Sequence, residues 1–307
     1  MTHRVAIGAS LFAAEDSAPT DLLRESGIEF VPNPYGRRLT EDEVIEHLEG
    51  MDGLIAGLEP LNRRVLSSAV PKLKALARVG IGVSNIDLEA AEELGVKVSN
   101  TPEPPTQPVA ELTVAAMLAL CRGLVRINAA FHAGGWPKEV TTGLIGTNVL
   151  LIGYGRIGRR VAQMLQPFGA RLLVADPFID PSSLTGGEQL VGLEEGLAQA
   201  QVISLHLSGE EVLLGPEQFE RMRDGVVLLN SARGGLVDEN ALLEALESGK
   251  VAGAWFDAFW EEPYHGRLVG MEQVLLTPHG GTFTFQCRRE MEVEAVRNLL
   301  RDLGIPA

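Results

Sequence analysis

The sequence predicts an α/β protein built on parallel sheets, and three observations carry that prediction. Short apolar runs alternate with amphipathic helical segments along nearly the whole chain. One proline-rich stretch, TPEPPTQP at 101–108, interrupts the alternation and splits it into two series. A glycine turn opens the second series directly after an apolar strand.

In the first series, RVAIGA reads as a strand, DLLRESG as a helix ended by Gly27, and IEFVPN as a second strand. TEDEVIEHLEG begins with an N-cap candidate, Thr40, and has acids in its first turn, which suits the helix dipole. GLIAG and KLKALARVG read as buried strands, DLEAAEELG as a helix and VKVSN as a strand. Segment 101–108 is expected to be irregular and to cross between domains. One long helix is predicted over 109–130, then a loop over 132–146.

The second series runs NVLLIG, RIGRRVAQMLQPFG, RLLVADP, QVISLHL, GVVLLNSARGG, ALLEALESG, VAGAWFDAF and VLLTPHGG. A last helix over 288–303 has no strand left to feed and is expected to return to the first domain. The predicted division is therefore 1–100 with 287–307 as one domain and 101–286 as the other.

The 307 residues are 45% hydrophobic and 22% charged, the balance of a soluble globular protein. No apolar run reaches the roughly 18 residues of a membrane span, and the N-terminus lacks a signal-peptide pattern. A cytoplasmic protein with no membrane partner is expected. The net charge of −15 argues against nucleic acid, which needs a basic face. Cys121 and Cys287 are isolated, show no metal spacing and read as reduced thiols.

A glycine turn alone is weak evidence, since the chain has 34 glycines. Here Gly153-Tyr154-Gly155-Arg156-Ile157-Gly158 follows the strand NVLLI and opens a helix. Gly153 permits the tight turn, Gly155 lets the backbone approach a pyrophosphate, and Gly158 lets helix and sheet pack closely. The helix N-terminus offers N–H groups and a positive dipole end to phosphates. Asp176 ends the next strand, where an acid is expected to bond the adenosine ribose hydroxyls. A carboxylate there repels a 2′-phosphate, and no arginine follows it, so NAD is favoured over NADP.

Hydride transfer to a 2-keto acid needs a cation for the carboxylate and carbonyl, a general acid, and a group that supports that acid. Arg233, in NSARGG after an apolar strand, has the planar fork that suits a carboxylate. Of the six histidines, only His206 and His279 end apolar strands. His279 is followed by two glycines that leave room for a ligand, and His206 is its competitor. His3, His47 and His265 read as solvated, and His132 as part of a loop. Glu262 could pair with His279, with Glu261 the alternative partner.

With these motifs together, the chain resembles the NAD-dependent D-isomer specific 2-hydroxyacid dehydrogenases, and within them the phosphoglycerate dehydrogenase-like members. The likeness runs through RVGIGVSNIDLEAA, VAELTVAAMLAL, IGYGRIGRRVA, LLNSARGGLVDENALLEAL, GAWFDAFWEEP and TPHGGTF. It implies that Arg233 binds substrate, Glu262 pairs with the histidine, His279 is the general acid/base and Asp257 contacts the nicotinamide carboxamide. His206, Ala232 and Gly281 join the expected cofactor contacts, and Arg78, Ile81, Gly82 and Val83 the expected substrate contacts. It also implies two Rossmann-like domains, flavodoxin-like for the substrate and doubly wound for NAD, with a cleft between them, and a homodimer gripped through the nucleotide domain.

The expected substrate is 3-phosphoglycerate or a related small acid. An unusual acid such as a phosphonate, or a non-catalytic NAD-sensing corepressor-like role, stand as alternatives. Four positions depart from the family pattern: Ser84, the Glu103–Gln107 turn, Ser208, and Gly57, where many phosphoglycerate enzymes carry an arginine. No regulatory domain is expected after Ala307.

Overall fold

A computed structural model describes residues 3–209 and 211–306. In chain order the elements begin β1 (Arg4–Ile7), α1 (Ala18–Glu25), β2 (Glu29–Val31), α2 (Glu41–His47), β3 (Gly53–Ala56), α3 (Arg63–Ala69), β4 (Ala75–Arg78), α4 (Leu88–Glu93) and β5 (Lys97–Asn100). There follow α5 (Thr106–Cys121), α6 (Leu124–His132), β6 (Asn148–Ile152), α7 (Arg156–Leu165), β7 (Arg171–Ala175), β8 (Gln189–Leu190), α8 (Leu193–Gln199) and β9 (Val202–Leu205). The chain closes with α9 (Pro216–Arg221), β10 (Val226–Asn230), α10 (Glu239–Ser248), β11 (Val251–Phe256), β12 (Val274–Leu276) and α11 (Phe285–Leu303).

The chain forms two compact units, Met1–Pro105 with Phe283–Ala307, and Thr106–Thr282. The first holds a parallel sheet in the order β2-β1-β3-β4-β5. The central strands β3 and β4 are buried along their whole length, as a parallel sheet covered by helices requires. Helix α11 lies against β3, β4 and β5 and seals this core with Val296, Leu299 and Leu300. Its direction is fixed by two bonds. The Lys97 Nζ, at the start of β5, donates to the Asp302 carbonyl (3.0 Å). Beyond the end of β1, the Ala13 N–H donates to Glu292 Oε2 (2.8 Å). The N-terminus of α11 therefore sits at the carboxyl edge of the sheet.

The second unit carries a parallel sheet in the order β12-β11-β10-β9-β6-β7-β8. The chain enters at β6, works outward to β8, then returns to β9 on the other side of β6. Leu151 of β6 thus pairs with Val174 on one flank and Ser204 on the other. That reversal creates a switch point at the carboxyl ends of β6 and β9, the place where doubly wound sheets bind ligands. Helix α5 is apolar on most of its surface and packs on α7, β10 and β11. No single helix among the described residues is long and apolar enough to cross a membrane. Cys121 and Cys287 are free and buried, and burial pushes their thiols up to about 11 and about 12.

Three expectations need correction. The helix predicted over 109–130 is two helices, bent by 60° at Gly123. Gly123 adopts φ +58°, a left-handed value open to glycine, and its N–H closes the end of α5 on the Leu120 carbonyl (3.0 Å). The stretch 101–108 is not wholly irregular, because α5 starts at Thr106 and takes in Pro108. A proline is tolerated in a first turn, where its missing N–H has no intrahelical acceptor. His47 is not simply solvated, since its half-buried Nε2 donates to the Ile7 carbonyl at 3.1 Å. Helices α3, α8 and α9 were not anticipated. Each has six or seven residues, fewer than two full turns of periodicity.

Candidate active site

The glycine turn joins β6 to α7 at the switch point, and its geometry demands glycine twice. Gly153 has φ +92°, and a Cβ there would lie 2.7 Å from the His206 carbonyl carbon and 2.8 Å from Leu207 N. A Cβ on Gly158 would lie 2.3 Å from the Gly153 oxygen. At Gly155 a Cβ would meet nothing within 4 Å. Gly153 and Gly158 close the turn on the sheet, and Gly155 faces the open approach to the α7 N-terminus. That is the cradle a dinucleotide pyrophosphate fits.

The other residues of the turn support it from below. Tyr154 is buried, its phenol raised by burial and by a bond to Glu188, and Arg159 lies over its ring at 5.6 Å. Ile157 packs into the core beneath α7, which Arg156 opens. Asp176 accepts the Tyr154 N–H at Oδ2 (2.7 Å) and the Phe178 N–H at Oδ1 (2.9 Å). Its carboxylate thus ties the end of β7 to the turn, with lone pairs left for further donors. His206 sits under the same turn. Part of the residue reaches the surface, but its Nδ1 is buried with no hydrogen-bond partner among the described residues, while Nε2 meets Ser204 Oγ at 2.8 Å. Enclosure pushes its imidazole down to about 4, so it is neutral near pH 7.

Arg233, Glu262 and His279 lie in this second unit, on the turns that follow β10, β11 and β12. The Arg233 turn is held by Asn230, which is fully buried at the end of β10. Asn230 Oδ1 accepts the Ala232 N–H (3.0 Å), and its Nδ2 donates to the Arg233 carbonyl (2.8 Å). Gly234 then abuts the next turn, where a Cβ would lie 2.1 Å from the Phe259 carbonyl carbon. The segment leading to Glu262 is therefore locked against the segment carrying Arg233.

Glu262 and His279 form the pair that the sequence left open between Glu261 and Glu262. His279 Nδ1 lies 2.9 and 3.0 Å from the two Glu262 carboxylate oxygens. The side chains are 50% and 40% exposed, so the imidazole can reach a bound molecule. His279 has φ +52°, an uncommon value for a residue with a Cβ. Asp257 sustains it from beneath. That buried carboxylate accepts the Gly280 N–H (2.8 Å), the Gly281 N–H (2.9 Å) and the Thr277 hydroxyl (2.5 Å). Trp255 Nε1 donates to Thr277 Oγ1 in turn (2.9 Å). A strained residue over-determined by its surroundings is a mark of functional sites.

Arg78, Ile81, Gly82 and Val83 belong to the first unit, on and after β4. Arg78 is buried and donates to the Val79 carbonyl. Ile81 is exposed, its carbonyl accepts from Asn100 Nδ2 (2.8 Å), and Val83 packs into the core. Sequence reasoning overlooked Asn230, Gly234 and Thr277. A polar residue closing an apolar strand, as in VVLLN, was the available signal for Asn230.

Residues 114–281 match the model for the NAD-binding domain of the D-isomer specific 2-hydroxyacid dehydrogenases. The chain belongs to that family. It is 35% identical over 276 residues to hydroxypyruvate reductase of Thermotoga maritima, covering 87% of this chain and 90% of that one. It is 37% identical over 286 residues to human D-3-phosphoglycerate dehydrogenase, covering 90% of this chain. The chain spans about half (53%) of the length of that human protein. A solved Thermus thermophilus protein superposes with a TM-score of 0.89 at 35% identity, over 98% of this chain and 97% of that one. The dehydrogenase is NAD-dependent, and its two parallel sheets have the family's Rossmann architecture.

Proposed function

We propose that Arg233, Glu262 and His279 carry the reaction between a D-2-hydroxy acid and its 2-keto acid. The observation that carries this reading is the His279–Glu262 pair at 2.9 Å, mounted on a strained turn that Asp257 holds. When bound, NADH supplies the hydride to carbon 2. The Arg233 guanidinium holds the substrate carboxylate and draws charge from the keto oxygen. His279 Nε2 gives its proton to that oxygen as charge develops, and Glu262 holds the Nδ1 side through the step. In the oxidising direction the same nitrogen takes the proton back.

The cofactor contacts fall to the glycine turn and Asp176, with His206, Ala232, Asp257 and Gly281 around them. Of these, Asp257 has both oxygens engaged by the His279 turn, so it serves first as that turn's support. The first unit is the substrate domain, with Ile81, Gly82 and Val83 offering backbone to the substrate carboxylate.

His279→Gln tests the assignment. Loss of the general acid should lower kcat by about 10²–10⁴-fold, while NADH titration by fluorescence stays near wild type. An unchanged kcat with any 2-keto acid would remove His279 from the mechanism.

We also infer a homodimer through the second unit. Helix α6 buries no residue of its own, and Leu124, Phe131, Trp136, Val140 and Ile145 stand exposed there together with the segment that follows. Sedimentation as a 33.0 kDa monomer at micromolar concentration would refute it. The acidic charge weighs against a nucleic-acid partner, and two free buried thiols suit a reducing, cytoplasmic setting.

A further inference from the structure

We infer that the first unit is built against phosphorylated acids: Glu59 fills the space and answers the charge that a phosphate would need, so the substrate is a small 2-keto acid without a phosphate. This rests on the reading of the second unit as a 2-keto acid reductase. The relatives leave the point open, since one is a hydroxypyruvate reductase and another a D-3-phosphoglycerate dehydrogenase.

Ligands of parallel sheets are met at the carboxyl ends of the strands. In the first unit, Glu59 stands there, just past β3, and is only 1% exposed. Both carboxylate oxygens accept the Gly57 N–H, at 2.9 and 3.0 Å. The side chain lies between the ends of β1 and β3. A Cβ on Gly8 would fall 2.0 Å from Glu59 Oε1. A Cβ on Gly57 would fall 2.9 Å from Oε2 and 2.8 Å from the Ala9 Cα. No cationic side chain can therefore project from position 57 without displacing the β1 loop.

The cation that is present is already answered. Arg78 closes β4 next to β3, buried, in the field of the Glu59 carboxylate, and Arg38 shares that field. Burial raises the Glu59 carboxyl, while the Gly57 N–H and both arginines act the other way. Two further arginines near this edge are matched, Arg37 with Glu43 (2.6 Å) and Arg288 with Glu292 (2.6 Å), while Arg38 stands exposed. A phosphate ester brings a charge of about −1.5 to −2 and three acceptor oxygens. It is recognised by clustered, uncommitted guanidinium donors, and this edge instead sets a buried acid beside its arginine. An unphosphorylated keto acid makes no such demand.

The test compares kcat/KM for hydroxypyruvate, glyoxylate and the 3-phosphate ester of hydroxypyruvate, on the full chain with NADH. The unphosphorylated acids should lead by about 100-fold or more, the scale of several kcal/mol for misplaced like charge. Equal or better turnover of the ester overturns the inference and leaves the hydride chemistry standing. If none of the three turns over, the proposed function falls instead. Titration of the NADH-loaded chain then still decides, because tighter binding of the ester overturns the inference and weaker binding upholds it. Glu59→Gln should narrow the ratio about tenfold by raising ester turnover, a gain that mere loosening of the fold would not produce. A folded Glu59→Gln chain with an unchanged ratio removes Glu59 as the determinant.

Discussion

His206 and His279 follow two strands of the same sheet, β9 and β12, and look alike in the sequence, each coming after an apolar run. The structure gives them opposite environments. His206 is tucked under the glycine turn, with its Nδ1 buried and its ring pushed down to about 4. His279 stands half-exposed, with Nδ1 on a carboxylate and its backbone in the left-handed region. One ring is kept neutral by enclosure, and the other is presented by a strained turn and oriented by an acid. A strand end therefore does not fix a histidine's environment. What distinguishes His279 is the buried acceptor beneath it and the carboxylate beside it.

The comparison breaks most sharply at Asp257. Asp257→Ala leaves the Gly280 and Gly281 N–H groups and the Thr277 hydroxyl without their acceptor. Each bond to a charged group is worth about 1.5–3 kcal/mol, and three bonds sharing one acceptor are not additive, so urea stability of the second unit should fall by about 3–5 kcal/mol. The His279 turn should also relax from φ +52°, and misplacement on the ångström scale should lower kcat by about 100-fold. Thr277→Val is the milder version. It removes one donor and leaves both backbone bonds, so kcat should drop less than about tenfold. If the two variants lost kcat equally, the turn would not be held by the backbone bonds.

The difference also explains what was legible. The glycine turn could be read because its constraint is the absence of side chains at Gly153 and Gly158, and absence is visible in a motif. Arg233, Glu262 and His279 were named as candidates through residue type and strand-end position, then through resemblance. The supports were less legible. Asn230 acts within its own turn, on Ala232 and Arg233, but Gly234 and Thr277 act through contacts with other turns, which adjacent letters do not encode. Asp257 was named for a cofactor contact, and its bonds to the backbone of the His279 turn were not foreseen. In the first unit Gly57 read as a missing arginine, and the reason lies outside the motif, since Glu59 takes the space beside it. The helix over 109–130 failed for a simpler reason, since periodicity carries across Gly123 although the backbone does not.

The smallest expected effect lies on the His206 side. An imidazole at 6.5 in the unfolded chain and about 4 in the native one binds its proton more readily when unfolded. Its contribution to stability is thus complete above pH 6.5 and is lost as pH falls from 6.5 towards 4. At about 1.4 kcal/mol per unit, the loss is at most about 3 kcal/mol, and native-state relaxation should bring it nearer 1–2. His206→Gln keeps a polar group for Ser204 and cannot titrate in this range. Urea unfolding of both chains at pH 7, 6, 5 and 4.5 isolates the term as a difference, because the acidic groups shared by the two chains cancel. The wild type should lose stability faster below pH 6.5. Parallel curves would mean that His206 is protonated in the native state as easily as in the unfolded one, and the contrast with His279 would then rest on the Asp257 turn alone.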